Sequence, residues 1–219
     1  MYSPAGESAG IVRTLMDSMT VEDKIGQLIM VGFDGQSLTP ELEAHLSEVH
    51  AGNVIFLGRN YANPEQMWSF TNDLQRMASR RFAPAGLLTA IDQEGGVVAR
   101  MLNGVTVFPG NMALGATGRA DYARRAALVT AQEMLALGLN MNLAPVLDVN
   151  NNPGNPAIGV RSYGENPELV AAMGAKAIAA SQSAGVLATA KHFPGKGDVT
   201  VDSHIDLPHV AHSRERLNR

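Results

Sequence analysis

Between residues 191 and 208 the chain reads KHFPGKGDVTVDSHIDLP, a dense run of titratable side chains. The triplet Asp202-Ser203-His204 concentrates the chemistry. An aspartate two residues from a histidine in a loop can reach Nδ1 of the ring, fix its tautomer and favour the imidazolium. Imidazole titrates near ~6.5, so such a ring exchanges protons around neutrality, and Asp202–His204 is a candidate acid/base dyad. The triplet is also two-thirds of a Ser-His-Asp triad. Ser203, however, lies between its would-be partners with its side chain directed elsewhere, and no G-x-S-x-G elbow occurs. A metal site is the other rival, built from His204, His209 and His212 with Asp202 and Asp206 nearby. Pro208 breaks any helix that would align them and H-E-x-x-H is absent, so no metal is expected.

Other stretches carry weaker signals. In IDQEGGVVAR (91–100) Asp92 precedes a Gly95-Gly96 turn, and Arg100 follows eight residues on. A carboxylate and a guanidinium at one pocket can bracket vicinal hydroxyls, one accepting and the other donating in a fork. A surface turn with an ordinary salt bridge explains the same spacing. The connection VLDVNNNPGNPAIGVRSYGENP (146–167) is long, rich in Asn, Pro and Gly, and contains Arg161. Loops of that length are uncommon and often functional. Lys191 and His192 end an apolar burst, where a rim lysine and a carbonyl-capping histidine are the plain alternatives to a binding role.

The elements that must position these groups follow a pattern. Apolar bursts at 25–33, 52–58, 86–92, 140–149 and 185–192 are short, Gly-flanked and nearly continuous, which suits strands buried on both faces. Between them lie four helix candidates. Thr39-Pro40 opens one that runs to about His50, and Asn63-Pro64 opens another to about Arg80. Asp121 to Leu137 is closed by Gly138, and Asn166-Pro167 opens the fourth, to about Ala184, closed by Gly185. Alternating strand and helix predicts right-handed βαβ units and a parallel sheet. An open doubly wound sheet is the runner-up, but G-x-G-x-x-G after the first strand is missing. Arg59-Asn60, Asp92, Asp148 and Lys191-His192 all fall at or just past the C-terminal ends of strands, the rim that bears the active site of a β/α barrel. The expectation is an α/β chain of 219 residues forming the N-terminal portion of a (β/α)8 barrel, about five of its eight units. The closing HSRERLNR reads as the start of a further helix.

Composition narrows the partners. Apolar residues make up 45%, enough for a core, and charged residues only 17%, below the usual ~25%. A net charge of −4 provides no basic footprint for nucleic acid, and no apolar run approaches the ~20 residues of a membrane span. There is no cysteine, hence no disulfide framework or thiol nucleophile, and no cofactor is expected. MYSPAGESAG lacks the features of a secretion signal, so a cytoplasmic protein is expected, a secreted form remaining open if a signal was removed.

KHFPGKGDVTVDSHIDLP strongly resembles the signature of family 3 glycoside hydrolases of the β-N-acetylglucosaminidase type: Lys-His-Phe/Ile-Pro-Gly-x-Gly, four variable residues, then Asp-Ser/Thr-His. MTVEDKIGQLIMVGFDG, VIFLGRNYANPEQ, IDQEGGVVARM, LAPVLDV and RSYGENPELV extend the likeness, in order, over nearly the whole chain. The resemblance implies a (β/α)8 barrel, a retaining mechanism through a glycosyl-enzyme intermediate, and a terminal β-linked N-acetylglucosamine of peptidoglycan- or chitin-derived saccharides as the partner. It implies that Asp92 binds the sugar's hydroxyls, that Arg100, Arg161, Lys191 and His192 line the same pocket, and that His204, oriented by Asp202, is the general acid/base. Two departures stand out. Lys196 occupies the position in the PGxG turn where close relatives have His. The resemblance implies a nucleophilic Asp in a short acidic motif after a later strand, and no residue here matches it, so the chain by itself is expected to hydrolyse little. A family 3 phosphorylase, a β-glucosidase and an inactive or merely sugar-binding fragment are the alternatives; the Asp-Ser-His loop disfavours the glucosidase.

Overall fold

The computed structural model describes residues 5–217, so the first four residues of the N-terminal stretch and the last two of HSRERLNR lie outside the described residues. In chain order the elements are α1 (Ala5–Ser18), α2 (Val21–Gly26), β1 (Met30–Gly32), α3 (Pro40–Glu48), β2 (Asn53–Phe56), α4 (Pro64–Arg81), β3 (Leu88–Ile91), β4 (Gln93–Gly95), β5 (Val98–Ala99), α5 (Asn111–Gly115), α6 (Ala120–Ala136), β6 (Met141–Asn142), α7 (Pro167–Ser183), β7 (Leu187–Ala188) and α8 (Arg214–Leu217). They fall into two compact units. One comprises Met1–Ile91, Asn103–Val105 and Met134–Met141; the other comprises Asp92–Leu102, Thr106–Glu133 and Asn142–Arg219.

In the first unit β1, β2 and β3 are parallel, with Met30 opposite Asn53 and Asn53 opposite Leu88, and the start of β6 follows β3. Asn140, just before β6, accepts the Thr89 N–H at 2.8 Å and donates to the Leu87 carbonyl at 2.9 Å. Helices α3 and α4 begin where the Thr-Pro and Asn-Pro pairs place them. Thr39 accepts the N–H of Leu42 and Asn63 that of Gln66, each capping an orphan donor while proline fills the first helical position. The core is a trio of rings, Phe33, Phe56 and Phe70, with centroids 5.3 to 5.5 Å apart and edges turned to faces.

In the second unit β7 follows β6. The chain after β6 is extended but interrupted by Pro145, which has no N–H to give a ladder. It continues as a parallel run beside the chain after β7: Thr189 N donates to the carbonyls of Asn142 and Ala144, Lys191 N to that of Pro145, and Leu147 N to that of Lys191. Helix α7 is capped by Asn166, which accepts the Leu169 N–H at 2.8 Å. Its Val170 and Met173 pack with Ala123 and Tyr163 into a small core, where burial pushes the Tyr163 hydroxyl up to about 12. In neither unit does the order of the parallel strands reverse, as it must at the switch point of a doubly wound sheet; β4 and β5 stand apart as their own pair.

Three expectations need correction. The burst at 25–33 is not one strand. Its start, Ile25-Gly26, is the end of α2, a helix that Thr20 and Asp23 open with a reciprocal capping box. Burial on both faces fails at β1, whose Met30 is 36% exposed; among the described residues β1 pairs only with β2. The bursts at 140–149 and 185–192 contain two strand residues each, β6 and β7. The antiparallel pair β4–β5 and the helices α1, α2 and α5 were not anticipated. The Gly95-Gly96 turn is present: Gly96 has φ +59°, and a Cβ there would meet Gly110 Cα at 2.6 Å.

Candidate active site

The second unit contains every candidate site residue. Asp92 follows directly on β3, and Glu94, two residues on, shares its face of the extended chain. Lys191 reaches both: its Nζ lies 2.8 Å from Asp92 Oδ1 and 2.7 Å from Glu94 Oε1. Arg161 grips Glu94 with a fork, Nε to Oε2 at 2.9 Å and Nη2 to Oε1 at 2.8 Å, while its Nη1 donates to the Ala157 carbonyl. Glu94 is the hub, its side chain 1% exposed. Burial alone would raise its pKa, but the hydrogen bonds from Arg161 and Lys191 together outweigh that and hold it below the usual carboxylate range. The Glu94 hydrogen bond likewise raises Arg161 further, so both stay charged.

Asp92 is only half engaged. Its Oδ2 faces Arg100 Nη2 at 3.9 Å, an ion pair too long for a hydrogen bond. Arg100 itself is placed through its backbone, since the Gln93 side chain accepts the N–H groups of Arg100 and Met101 and donates to the Met101 carbonyl. The Nε of Arg100 is buried with no partner among the described residues. Asp92 Oδ2 and Arg100 Nη2 thus face each other without a hydrogen bond, while the unmet buried Nε carries a cost of about 1–3 kcal/mol.

His192 belongs to a second cluster. Its Nδ1 lies 2.6 Å from Asp148 Oδ2 and its backbone N–H donates to the same oxygen, while Lys196 N donates to Asp148 Oδ1 at 2.6 Å. Asp148 is fully buried as a side chain. Burial pushes its pKa up, but His192 and the Lys196 N–H together hold it below the usual range. An ionised carboxylate can only accept, so Nδ1 carries the hydrogen and Nε2 is the ring's remaining functional atom.

The third cluster is the loop pair. His204 Nδ1 lies 2.6 Å from Asp202 Oδ1, which also accepts the His204 backbone N–H at 3.0 Å; these two bonds lower Asp202. The His204 side chain is 75% exposed. Among the described residues neither partner bonds to the Asp92–Glu94 network. Ser203 Oγ instead accepts from Lys196 Nζ at 3.3 Å.

The structure therefore joins Asp92, Arg100, Arg161 and Lys191 in one charged network, sets His192 beside it on Asp148, and forms the Asp202–His204 pair separately. From sequence, Glu94 has no place and Asp148 only a strand-end position without a partner. Glu94 was accessible through its i, i+2 relation to Asp92; nothing local signals that Asp148 faces a histidine 44 residues on. Asp148, Lys191 and His192 line an open cleft of about 710 Å³, within the range of small-ligand sites. No three His, Asp or Glu side chains converge on a metal position among the described residues. Nor is any described helix long and apolar enough to cross a membrane.

Residues 20–219 match the family described as the glycosyl hydrolase family 3 N terminal domain. Beta-hexosaminidase A of Pseudoalteromonas piscicida is 41% identical over 221 residues, covering 92% of this chain and 37% of that protein. A beta-hexosaminidase of Alkalilimnicola ehrlichii is 36% identical, covering 86% and 54% respectively. Of the solved structures, a glycoside hydrolase family 3 beta-N-acetylglucosaminidase from Paenibacillus sp. superposes with a TM-score of 0.88 at 51% identity, over 92% of this chain and 38% of that one. NagZ from Neisseria gonorrhoeae, in complex with N-trifluoroacetyl-D-glucosamine, superposes with a TM-score of 0.79 at 31% identity, over 87% and 56%. The chain thus spans 37% to 56% of the length of these relatives. The likeness establishes the fold as the N-terminal portion of a (β/α)8 barrel.

Proposed function

This chain belongs to the glycosyl hydrolase family 3 N-terminal domain, and on that premise we propose that the protein carrying it is a retaining glycoside hydrolase that removes terminal β-linked N-acetylglucosamine from peptidoglycan- or chitin-derived saccharides. The observation that carries the reading is the His204 ring, held at Nδ1 by Asp202 at 2.6 Å and otherwise open to an incoming substrate. The names of the relatives, beta-hexosaminidase and beta-N-acetylglucosaminidase, point the same way.

In this mechanism Asp92 and Arg100 bracket sugar hydroxyls, while Lys191 and Arg161, pre-set by Glu94, present fixed positive charge to the same sugar. His192 offers Nε2 to it. A nucleophilic carboxylate attacks the anomeric carbon and the glycosidic C–O bond breaks. His204, protonated at Nε2, gives that proton to the departing oxygen. In the second step the neutral ring takes a proton from water as the water oxygen displaces the carboxylate. Asp202 keeps the hydrogen on Nδ1 in both steps, so that Nε2 is always the working atom. The nucleophile is none of the residues described here, and we place it on a later strand of the barrel.

Full-length protein assayed with an aryl β-N-acetylglucosaminide should release the phenol and N-acetylglucosamine. Failure to cleave it, or an equal preference for the matching glucoside, would sink the assignment. His204 favours a second outcome, because a neutral imidazole does not repel an attacking anion as a carboxylate does. Adding phosphate and finding N-acetylglucosamine 1-phosphate would identify a phosphorylase instead.

A further inference from the structure

The loop that carries the acid/base pair is fastened unequally at its two ends. Its incoming limb is tightly held. Asn155 Nδ2 donates to the carbonyls of Lys196 and Val199 at 2.6 and 3.1 Å, and Val199 is buried. Gly197 packs so closely that a Cβ would stand 1.8 Å from the Val149 carbonyl oxygen. Past Val199 there is neither helix nor strand until α8, and Ile205 and Leu207 are 85% and 87% exposed.

The outgoing limb is tied back through one carboxylate. Asp198 Oδ2 accepts from His212 Nε2 at 2.6 Å and from Arg216 Nη2 at 2.7 Å. Hydrogen bonding by Arg216 holds Asp198 below the ordinary carboxylate range, so the tie is charge-assisted. Asp202 and His204 lie inside the ring of chain that this contact closes. Asp198, His212 and Arg216 line the same cleft as Lys191 and His192.

We infer that Asp198, His212 and Arg216 form a clasp that shuts the neck of the loop and positions Asp202–His204 for proton transfer. These are positioning residues that need not touch the sugar, and the inference rests on the reading of His204 as the proton donor. The physical reason is entropic and geometric. An open loop samples many placements of the ring, and a misplacement of about 1 Å costs on the order of a hundredfold in rate.

The test uses the full-length protein and two N-acetylglucosaminides, one with a phenyl and one with a 2,4-dinitrophenyl leaving group. The first needs protonation of its leaving oxygen and the second does not, so kcat/KM separates acid assistance from sugar binding. Asp198→Ala should lower kcat/KM on the phenyl substrate about tenfold or more and on the dinitrophenyl substrate less than about twofold. Asp198→Glu should recover part of the loss. Arg216→Gln, at an exposed position, should show the same selectivity at smaller size, and it carries the comparison if Asp198→Ala fails to fold. Equal losses on both substrates, or no loss on either, overturn the clasp alone. A wild-type protein that cleaves neither substrate overturns the proposed activity, and the clasp with it.

Discussion

Two Asp–His pairs in the same unit share one geometry and differ in nearly everything else. Asp148–His192 and Asp202–His204 both place a carboxylate oxygen 2.6 Å from Nδ1, and in both the carboxylate also accepts the histidine's own backbone N–H. Asp148 is fully buried, and its second oxygen is taken by Lys196 N; Asp202 is 23% exposed and His204 75%. The contact alone therefore does not decide a role. A pair whose carboxylate is buried with both oxygens engaged is a fixed strut, because moving it strands three donors. An exposed pair on a loop can move to meet a substrate and exchange protons with water.

The largest expected effect that would break this contrast is on stability. Asp148→Ala strands the His192 ring, its N–H and the Lys196 N–H, and should cost about 3–5 kcal/mol in urea unfolding. Asp202→Ala should leave the midpoint where it was, and equal losses would erase the distinction.

Activity comes next, with the roles reversed. His204→Ala should lower kcat/KM on a poor leaving group by about a hundredfold, some 2.7 kcal/mol of barrier, while sparing a dinitrophenyl glycoside. His192→Ala should affect both substrates alike. A leaving-group dependence in His192→Ala, absent from His204→Ala, would exchange the assignments.

Acid sharpens the comparison further. Asp148 and Glu94 are both lowered in the folded state, net of the burial that alone would raise them. A depressed carboxylate contributes stability that is fully present above its unfolded value of ~4 and is lost as pH falls through the folded value beneath it. Urea midpoints measured downward from about pH 6 should therefore fall less steeply for Asp148→Asn than for the parent. Asp202→Asn should flatten the slope less, since that carboxylate, although also lowered by its His204 bonds, lies on an exposed loop where solvent screens it. The smallest effect belongs to Lys196, whose Nζ makes a single long hydrogen bond among the described residues, to Ser203 Oγ at 3.3 Å. Lys196→Met should change unfolding by less than about 0.5 kcal/mol.

Legibility followed range. The starts of α3, α4 and α7 were readable because a cap and a proline act within one turn. The strands are shorter than the apolar bursts that signal them, because such a burst looks the same in a strand, at the end of a helix such as α2, or in the extended chain around Pro145. Asp92, Lys191 and His192 are legible from their places at strand ends, Arg100 from its spacing to Asp92 and Arg161 from the long connection, and the family likeness implies a role for all five. Only the structure shows what sets them, because Glu94 and Asp148 act across 67 and 44 residues of chain.

By itself, then, the sequence determined the alternation of strand and helix, the helix caps and the Asp202–His204 pair. Each depends on residues a few positions apart, whose geometry the local backbone imposes. The tertiary structure decided which charges face one another, that a buried Glu94 binds two cations, and which of two like Asp–His contacts has a buried carboxylate. Burial and long-range pairing are properties of packing, and packing brings together residues that no local pattern connects.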